Sequence, residues 1–261
     1  MKRHLTGFFC LLLLLSVTII SWKPAEKNRR NTSFRKPFTA REYLEKYISN
    51  VYESAHLQES GLEEAVFQKA ITGFLNLKST NKLPLNCSIL TVIDYTKSSH
   101  EKRMWIVDVV NKSLILNTWV AHGHGSGADM ATNFSDKINS HKSSLGFYIT
   151  DDVYYGKNGR SLRLDGIDAG FNTHARARAI VVHAADYVGE NNLAQEGRLG
   201  RSYGCPAVAP EVADQVIDAI KDKTVMFING NSNHYSSKYL NEELAGNYIA
   251  NDPSNNYFAS L

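Results

Sequence analysis

The cysteine in the segment GRSYGCPAV, residues 200–208, stands in a sequence context typical of a reactive thiol. Gly204 before it lets the backbone turn sharply, and Pro206 after it stiffens the exit from the turn. The amides of Tyr203, Gly204 and Cys205 can then point into one concavity, where they would stabilise a negatively charged oxygen and lower the thiol pKa. Cys205 is therefore a candidate nucleophile, and the three amides are a candidate oxyanion hole.

A histidine at the end of the predicted strand RAIVVHA, residues 178–184, is the candidate base. Ala179, Val181 and His183 share one face of this strand. His183 leaves the strand where a loop begins, and the loop returns to Cys205. A thiol needs a base within hydrogen-bond reach to react as a thiolate at neutral pH, and histidine is the usual one. We therefore expect the His183 imidazole to lie beside the Cys205 sulfur.

Disulfide formation is the main alternative for Cys205. The chain has three cysteines, Cys10, Cys87 and Cys205, and two cysteines in an oxidising compartment pair by default. A packed structural thiol is a weaker alternative, because such a thiol usually lies among branched apolar residues and Cys205 does not. We predict that Cys87 and Cys205 are both reduced and lie too far apart to bridge.

A second pair of histidines stands in VAHGHGSG, residues 120–127. His122 and His124 are two apart at the end of a predicted strand, so both can face one side and could bind zinc together with His183. However, no carboxylate or thiol except Cys205 stands at a supporting spacing, and the glycines are typical of a flexible loop. We favour a loop that lines the substrate cleft, with no metal or other cofactor. A zinc peptidase that uses these three histidines is the alternative.

The composition is that of an ordinary globular protein. The chain has 261 residues, enough for one large domain with appendages, and a formal net charge of +3 at pH 7. This charge is too small to indicate a nucleic-acid partner, and no basic stripe with interleaved aromatic residues is visible. We expect no nucleic-acid binding.

The N-terminus is typical of an exported protein. Lys2, Arg3 and His4 precede LTGFFCLLLLLSVTIISW, so residues 1–22 are predicted to be a signal peptide or a membrane anchor. Residues 23–38 are polar and basic and are predicted to be a flexible spacer. We expect the protein in the cell envelope, either in the periplasm or anchored on the outer side of a membrane.

Two helices are predicted within residues 39–84. Thr39 with Glu42, and Ser60 with Glu63, form capping-box patterns. Each pattern precedes a stripe of apolar residues at helical spacing.

Over residues 85–230 the sequence pattern predicts short strands. These strands are rich in branched and aromatic residues, and one helix starting at Pro210 precedes the last of them. The predicted fold class is mainly β with helices, α+β. Residues 231–261 are predicted to be a loosely packed C-terminal tail.

The cysteine motif resembles that of a known enzyme family. SYGCPA is similar to the Ser-x-Gly-Cys motif of the L,D-transpeptidases, the YkuD-type catalytic domain, with Ser202, Gly204 and Cys205 matching. An upstream strand-end histidine is that family's second element, and His183 matches it.

Two further segments carry the same resemblance. A third family element occurs in altered form as SSLGFY, in which Ser143, Gly146 and Tyr148 take the corresponding places. VVHAADYV followed by GRLGRSYGCPAV is similar to the murein L,D-transpeptidase-like branch of secreted envelope proteins. The resemblance covers roughly residues 85–230.

The resemblance implies a mixed-strand L,D-transpeptidase-like β-sandwich preceded by two N-terminal helices. It implies that a Cys205 thiolate attacks the carbonyl of the third residue of a peptidoglycan stem peptide and releases the terminal D-amino acid. The acyl group then passes to an amine acceptor or to water. It also implies that the Ala184 carbonyl orients the His183 imidazole.

The charge next to the cysteine departs from the family pattern. Relatives often carry an arginine shortly after the cysteine, whereas Pro206 and Ala207 follow it here, so we expect Arg201 or Arg198 to supply the charge. A non-catalytic cell-wall-binding module that keeps the fold is a further alternative. The residues expected to contact substrate are Ser202, Arg201, His122 and His124.

Overall fold

The strands after residue 84 form one mixed sheet of eight strands. The computed structural model describes residues 38–252. In chain order the strands are β1 (Ile89–Asp94), β2 (Met104–Asp108), β3 (Ser113–Thr118), β4 (Gly146–Gly156), β5 (Gly159–Gly166), β6 (Val181–Ala184), β7 (Ala207–Val208) and β8 (Val225–Asn229). Their order across the sheet is β3-β2-β1-β8-β4-β5-β6-β7.

Helices surround this sheet. They are α1 (Ala40–Ser54), α2 (Glu64–Ser79), α3 (Glu190–Glu196), α4 (Pro210–Ile220) and α5 (Glu242–Ala250), with 3₁₀ turns at His124–Ser126 and Lys238–Leu240. The α+β class predicted from the sequence is confirmed. Among residues 38–252, no helix is long and apolar enough to cross a membrane.

The sheet curls until its two edges meet. β1 pairs in parallel with β8 and β6 with β7, whereas the other neighbours are antiparallel. The chain after β3 then bridges the opposite edge, where the Ala121 amide donates to the Ala207 carbonyl at 2.8 Å. This closure brings the loop after β3 against the segment that precedes β7.

Each face of the sheet packs against its own core, because side chains alternate along a strand. Phe147 and Phe227 face a core shared with α1, α2 and α5. Their neighbours Tyr148 and Met226 face a second core that α4 closes. Since the second core receives side chains from β1, β2, β4, β5, β6, β7 and β8, it fills the inside of the curled sheet.

The two predicted capping boxes have different outcomes. At α1 both halves of the box are present: the Thr39 hydroxyl accepts from the Glu42 amide, and the Glu42 carboxylate accepts from the Thr39 amide. At α2 the prediction is wrong, because Glu63 is the N-cap and makes no side-chain cap. The Ser60 hydroxyl instead donates to the Leu57 carbonyl at 2.8 Å in the preceding turn.

The segment after residue 230 is more ordered than the predicted loose tail. It contains α5, which packs on α1 and α2. The hydroxyls of Tyr235 and Ser237 both donate to the buried Asp168 carboxylate, at 2.7 and 2.6 Å, and so attach this segment to the sheet. The expectations for residues 1–22, and for all but the last residue of 23–38, lie outside the described residues.

Candidate active site

The register of β6 and β7 brings the candidate base and nucleophile to one place. His183 lies opposite Ala207 in this parallel pair. Cys205 stands just before β7, so both side chains reach the same end of the sheet. Both line a cleft of about 760 Å³.

The His183 ring is held by one hydrogen bond. Its Nδ1 lies 2.7 Å from the Ala184 carbonyl, which places the ring proton on Nδ1 as donor. Nε2 then carries the lone pair and has no hydrogen-bond partner in the described part of the chain. Burial lowers the pKa of His183. The imidazole is therefore neutral near pH 7 and able to accept a proton at Nε2.

The Cys205 thiol lies against the start of β6. Its sulfur accepts from the Val181 amide at 3.5 Å and donates to the Ala179 carbonyl at 3.6 Å. Burial raises the pKa of this thiol, although the Val181 amide and the Arg178 charge act against the rise. The expectation of a lowered thiol pKa is wrong for this state of the protein. Among residues 38–252 no hydrogen bond joins the Cys205 sulfur to the His183 ring. The site rests as a neutral thiol and a neutral imidazole that line one cleft.

Ser202 shapes the turn that presents Cys205. Its hydroxyl accepts from the Gly204 amide at 3.0 Å and donates to the Cys205 carbonyl at 2.7 Å. Ser202 therefore organises the loop, and it also lines the cleft. The Gly204 amide, one of the three predicted oxyanion donors, already donates to this hydroxyl and is not a free donor. The amides of Tyr203 and Cys205 remain, since neither has an acceptor among residues 38–252.

Ser143, in the altered third element, ties the two loops of the site together. Its hydroxyl accepts from the Gly123 amide at 3.0 Å and donates to the Gly204 carbonyl at 3.5 Å. Its amide donates to the Ser126 hydroxyl at 2.9 Å. The loop after β3 and the nucleophile loop are thus held in register by one buried serine.

Arg201 and Arg198 differ in their access to the cleft. Arg201 lines it, with one guanidinium nitrogen donating to the Gly127 carbonyl at 2.9 Å. Arg198 donates to the Leu199 carbonyl and is not among the lining residues. Of the two expected cations, Arg201 is the one that faces the site.

The lining residues that were not singled out from the sequence include Lys157, Arg178 and Tyr187. Lys157 comes from the turn between β4 and β5, which is distant in sequence from the cysteine. Arg178 stands in RARAIVV just ahead of the strand that carries His183, but no sequence pattern distinguishes it from the arginine two residues earlier.

The two histidines after β3 do not line the cleft together, which corrects the expectation. His122 is buried, and its Nδ1 accepts from the Arg103 guanidinium at 2.8 Å. Its Nε2 lies 3.3 Å from the Gly127 carbonyl. His124 begins a 3₁₀ turn and is exposed. The chain leaves the extended conformation at His124, so these two side chains, although two residues apart, do not face the same side as they would in a strand.

These positions also remove the ligand set of the zinc alternative. His122, His124 and His183 occupy a buried niche, the surface and the cleft respectively. Within the described ranges, no group of three or more His, Cys, Asp or Glu side chains is arranged to hold a metal ion.

His122 is expected to make stability depend on pH. Burial and the Arg103 charge lower its pKa from 6.5 to about 4. A histidine that is harder to protonate when folded stabilises the fold above pH 6.5, and this stability is lost as the pH falls towards 4. From pH 7 to pH 5 this amounts to about 2 kcal/mol of unfolding free energy. Urea unfolding at both pH values should show a smaller loss for His122→Gln than for the unmodified protein. Equal losses would contradict this role.

The cysteines Cys87 and Cys205 are both free, as predicted. Cys87 is buried in the core under α2, and its sulfur lies 3.9 Å from the Lys223 carbonyl. Cys205 packs against the other core, inside the curled sheet. The sheet separates the two thiols.

With this geometry established, comparison with known proteins identifies the family. A family model described as "L,D-transpeptidase catalytic domain" matches residues 58–229. The chain belongs to this family. The match begins between α1 and α2 and includes both His183 and Cys205. The search of curated proteins gave no match.

Solved structures of the same class are similar to this chain at low sequence identity. An L,D-transpeptidase from Mycobacterium smegmatis is 10% identical with a TM-score of 0.35, covering 55% of this chain and 59% of its own. L,D-transpeptidase 1 of Mycobacterium tuberculosis is 10% identical with a TM-score of 0.32, covering 55% and 62%. An L,D-transpeptidase from Stackebrandtia nassauensis is 13% identical with a TM-score of 0.33, covering 75% and 93%. The chain thus spans 59% and 62% of the two mycobacterial chains.

Proposed function

We propose that this protein is a cysteine-dependent L,D-transpeptidase that acts on peptidoglycan stem peptides. The observation that carries the proposal is the pairing of β6 with β7, which brings His183 and Cys205 to one cleft in a chain of this family. A non-catalytic module would not need a half-buried thiol and an unoccupied imidazole nitrogen lining the same cleft.

The chemistry begins with a neutral thiol. His183 Nε2 takes the Cys205 proton as the sulfur attacks the carbonyl carbon of the third stem residue. The amides of Tyr203 and Cys205 hold the resulting oxyanion, and each such donor is worth about 3 kcal/mol where measured. The imidazolium then protonates the leaving amine, the carbon–nitrogen bond breaks, and a thioester remains on Cys205. An acceptor amine or water, deprotonated by His183, releases the acyl group.

Cations in the cleft suit the charge of such a substrate. Arg201 lines the cleft, and one of its guanidinium nitrogens donates to the Gly127 carbonyl. Lys157 approaches from the β4–β5 turn. We propose that these two residues bind the carboxylates of the stem peptide.

The activity can be tested on a disaccharide–tetrapeptide that ends in a D-amino acid. Mass spectrometry should show loss of that residue in buffer, and its replacement when a different D-amino acid is added as the amine. The first product reports hydrolysis, and the second reports transfer. A folded protein that leaves the muropeptide unchanged under both conditions would overturn the proposal.

The proposed base predicts the acid limb of the pH profile. Because burial lowers the pKa of His183, its neutral form persists below the ordinary histidine value of 6.5. The rate at which a carbapenem acylates Cys205 should therefore fall to half of its plateau below pH 6.5, and His122→Gln should leave this midpoint in place. A midpoint above 6.5 would rule out a buried neutral base.

We also propose that the protein works in the cell envelope, because residues 1–22 have the charge and apolar pattern of an export signal or anchor. Fractionation of cells should recover it outside the cytoplasm. An alkaline carbonate wash separates an anchored form, which stays with the membrane, from a cleaved one. Recovery in the cytoplasm alone would contradict the proposal.

A further inference from the structure

A buried arginine forms part of the wall behind the nucleophile. Arg178 precedes β6, its side chain is 3% exposed, and it lines the same cleft as Cys205. Burying a guanidinium is costly unless its donors are satisfied. Its contacts therefore indicate what it does.

The guanidinium of Arg178 holds one segment of chain, residues 135–144. Nη1 donates to the Ser135 carbonyl at 2.9 Å and to the Ser144 hydroxyl at 2.8 Å. Nη2 donates to the Lys142 carbonyl and lies 3.4 Å from the Ser140 hydroxyl. One side chain thus reaches both ends of the segment and its centre.

This segment lies directly against the nucleophile loop. A Cβ built on Gly204 would lie 2.9 Å from the Lys142 carbonyl oxygen and 3.0 Å from Arg178 Nη2. The guanidinium and the carbonyl that it holds therefore form the surface on which the residue before Cys205 rests.

The charge of Arg178 is only partly balanced by an acid. Its nearest carboxylate is that of Asp136, 4.0 Å from Nη1. That carboxylate also accepts from the His174 ring at 2.8 Å and from the His174 amide at 3.1 Å. The positive charge of Arg178 lowers the pKa of Cys205, against the larger effect of burial.

We infer that Arg178 is a positioning residue for catalysis: it fixes residues 135–144 under Gly204 and holds a permanent positive charge beside the thiolate as it forms. This inference rests on the proposed function of Cys205 as the nucleophile. The role differs from that of Arg201, whose guanidinium is accessible from the cleft.

Other groups near the thiol must be accounted for in a pH experiment. His183 comes from β6, and the carbonyl of Ala179 and the amide of Val181 contact the sulfur itself. The remaining titratable or charged residues that line the cleft are Lys157, Asp186, Tyr187, Arg201 and Tyr203. None of them is changed in the experiment below, so their contributions cancel between variants.

The test is the pH dependence of Cys205 alkylation by iodoacetamide, read on the Cys205 peptide by mass spectrometry. Arg178→Met removes charge and hydrogen bonds, and Arg178→Lys keeps the charge but loses the planar set of donors. The matched control is Arg176→Met, which removes an exposed arginine that pairs with Asp151 and Asp165. Circular dichroism and thermal unfolding check that each variant is folded.

We expect the midpoint of the alkylation curve to rise by about one pH unit in Arg178→Met, because a nearby opposite charge changes a pKa by this order. Arg178→Lys should shift the midpoint of the alkylation curve much less than Arg178→Met does. It should still lower the rate at which a carbapenem acylates Cys205, since the segment under Gly204 is less well held. Arg176→Met should match the unmodified protein. If Arg178→Met does not fold, Arg178→Lys carries the test through its acylation rate.

Two failures can be told apart. If a carbapenem forms no adduct on unmodified Cys205, the proposed function itself fails. If it does, but the folded Arg178 variants show the unmodified alkylation curve and the unmodified acylation rate, only the role of Arg178 is overturned.

Discussion

Cys205→Ala should abolish release and exchange of the terminal D-amino acid, with a loss of rate of at least about 10⁴-fold, the order seen when a catalytic nucleophile is removed. The physical reason is that, among the described residues that line the cleft with His183, Cys205 carries the only thiol. Among residues 38–252 the thiol makes two weak hydrogen bonds, with Val181 and Ala179, and it packs only at the margin of the core, so its removal should leave the fold intact. Turnover of the disaccharide–tetrapeptide, followed by mass spectrometry, measures the effect.

Cys87→Ala is the matched control for this variant. Cys87 is also a free thiol, but it is buried in the other core, away from the cleft. The change should cost some stability through the lost packing and leave turnover near that of the unmodified protein. Equal losses in the two variants would mean that the cysteine effect is structural.

Gly204→Ala should lower the acylation rate of Cys205 by about 100-fold, because a displacement of about 1 Å near the reacting atoms has effects of this size. Gly204 has φ +125°, a conformation that residues with a Cβ rarely adopt. The added carbon would also lie 2.9 Å from both Ile180 Cδ1 and the Lys142 carbonyl oxygen. Strain and crowding together should cost about 3 kcal/mol of unfolding free energy.

Gly197→Ala separates backbone strain from displacement of the nucleophile. Gly197 ends α3 with φ +65°, and nothing lies within 4 Å of a Cβ placed there. Its replacement should cost about 1 kcal/mol of stability and leave the acylation rate unchanged. Chemical denaturation and the carbapenem reaction provide both readouts. If Gly204→Ala reacts as fast as Gly197→Ala, the tight packing under the nucleophile loop is not needed for catalysis.

Local patterns predicted much of the fold. The Thr39–Glu42 pair marks the start of α1 because both halves of a capping box are near neighbours in sequence. Runs of branched and aromatic residues predicted the strands, because this pattern too is formed by residues that are near neighbours in sequence. The pattern failed at Ser60, where a turn precedes α2 and places the hydroxyl out of reach of the helix amides. α5 was missed because its sequence is only weakly amphipathic, and its position depends on packing against α1 and α2.

The site was predictable where it follows a motif and not where it depends on tertiary packing. Cys205, His183 and the Ala184 carbonyl could be named from a resemblance that includes their order. Burial of His122 against Arg103 could not, because Arg103 lies on the entry to a different strand. Arg178 and Arg176 have the same local sequence context, yet one guanidinium is enclosed and the other pairs with two surface carboxylates. Only the fold distinguishes them.

The central claim, a Cys205 thiol activated by His183, is tested most directly by intact-mass measurement after incubation with a carbapenem, whose strained carbonyl reacts with an activated thiolate. The account predicts a single covalent adduct that maps to the peptide containing Cys205, persists in Cys87→Ala and is absent in Cys205→Ala. It also predicts that His183→Ala, with the thiol still in place, forms this adduct at least about 100-fold more slowly. No adduct on the folded protein, an adduct that maps to another cysteine, or an adduct that forms as fast without His183 would contradict the account.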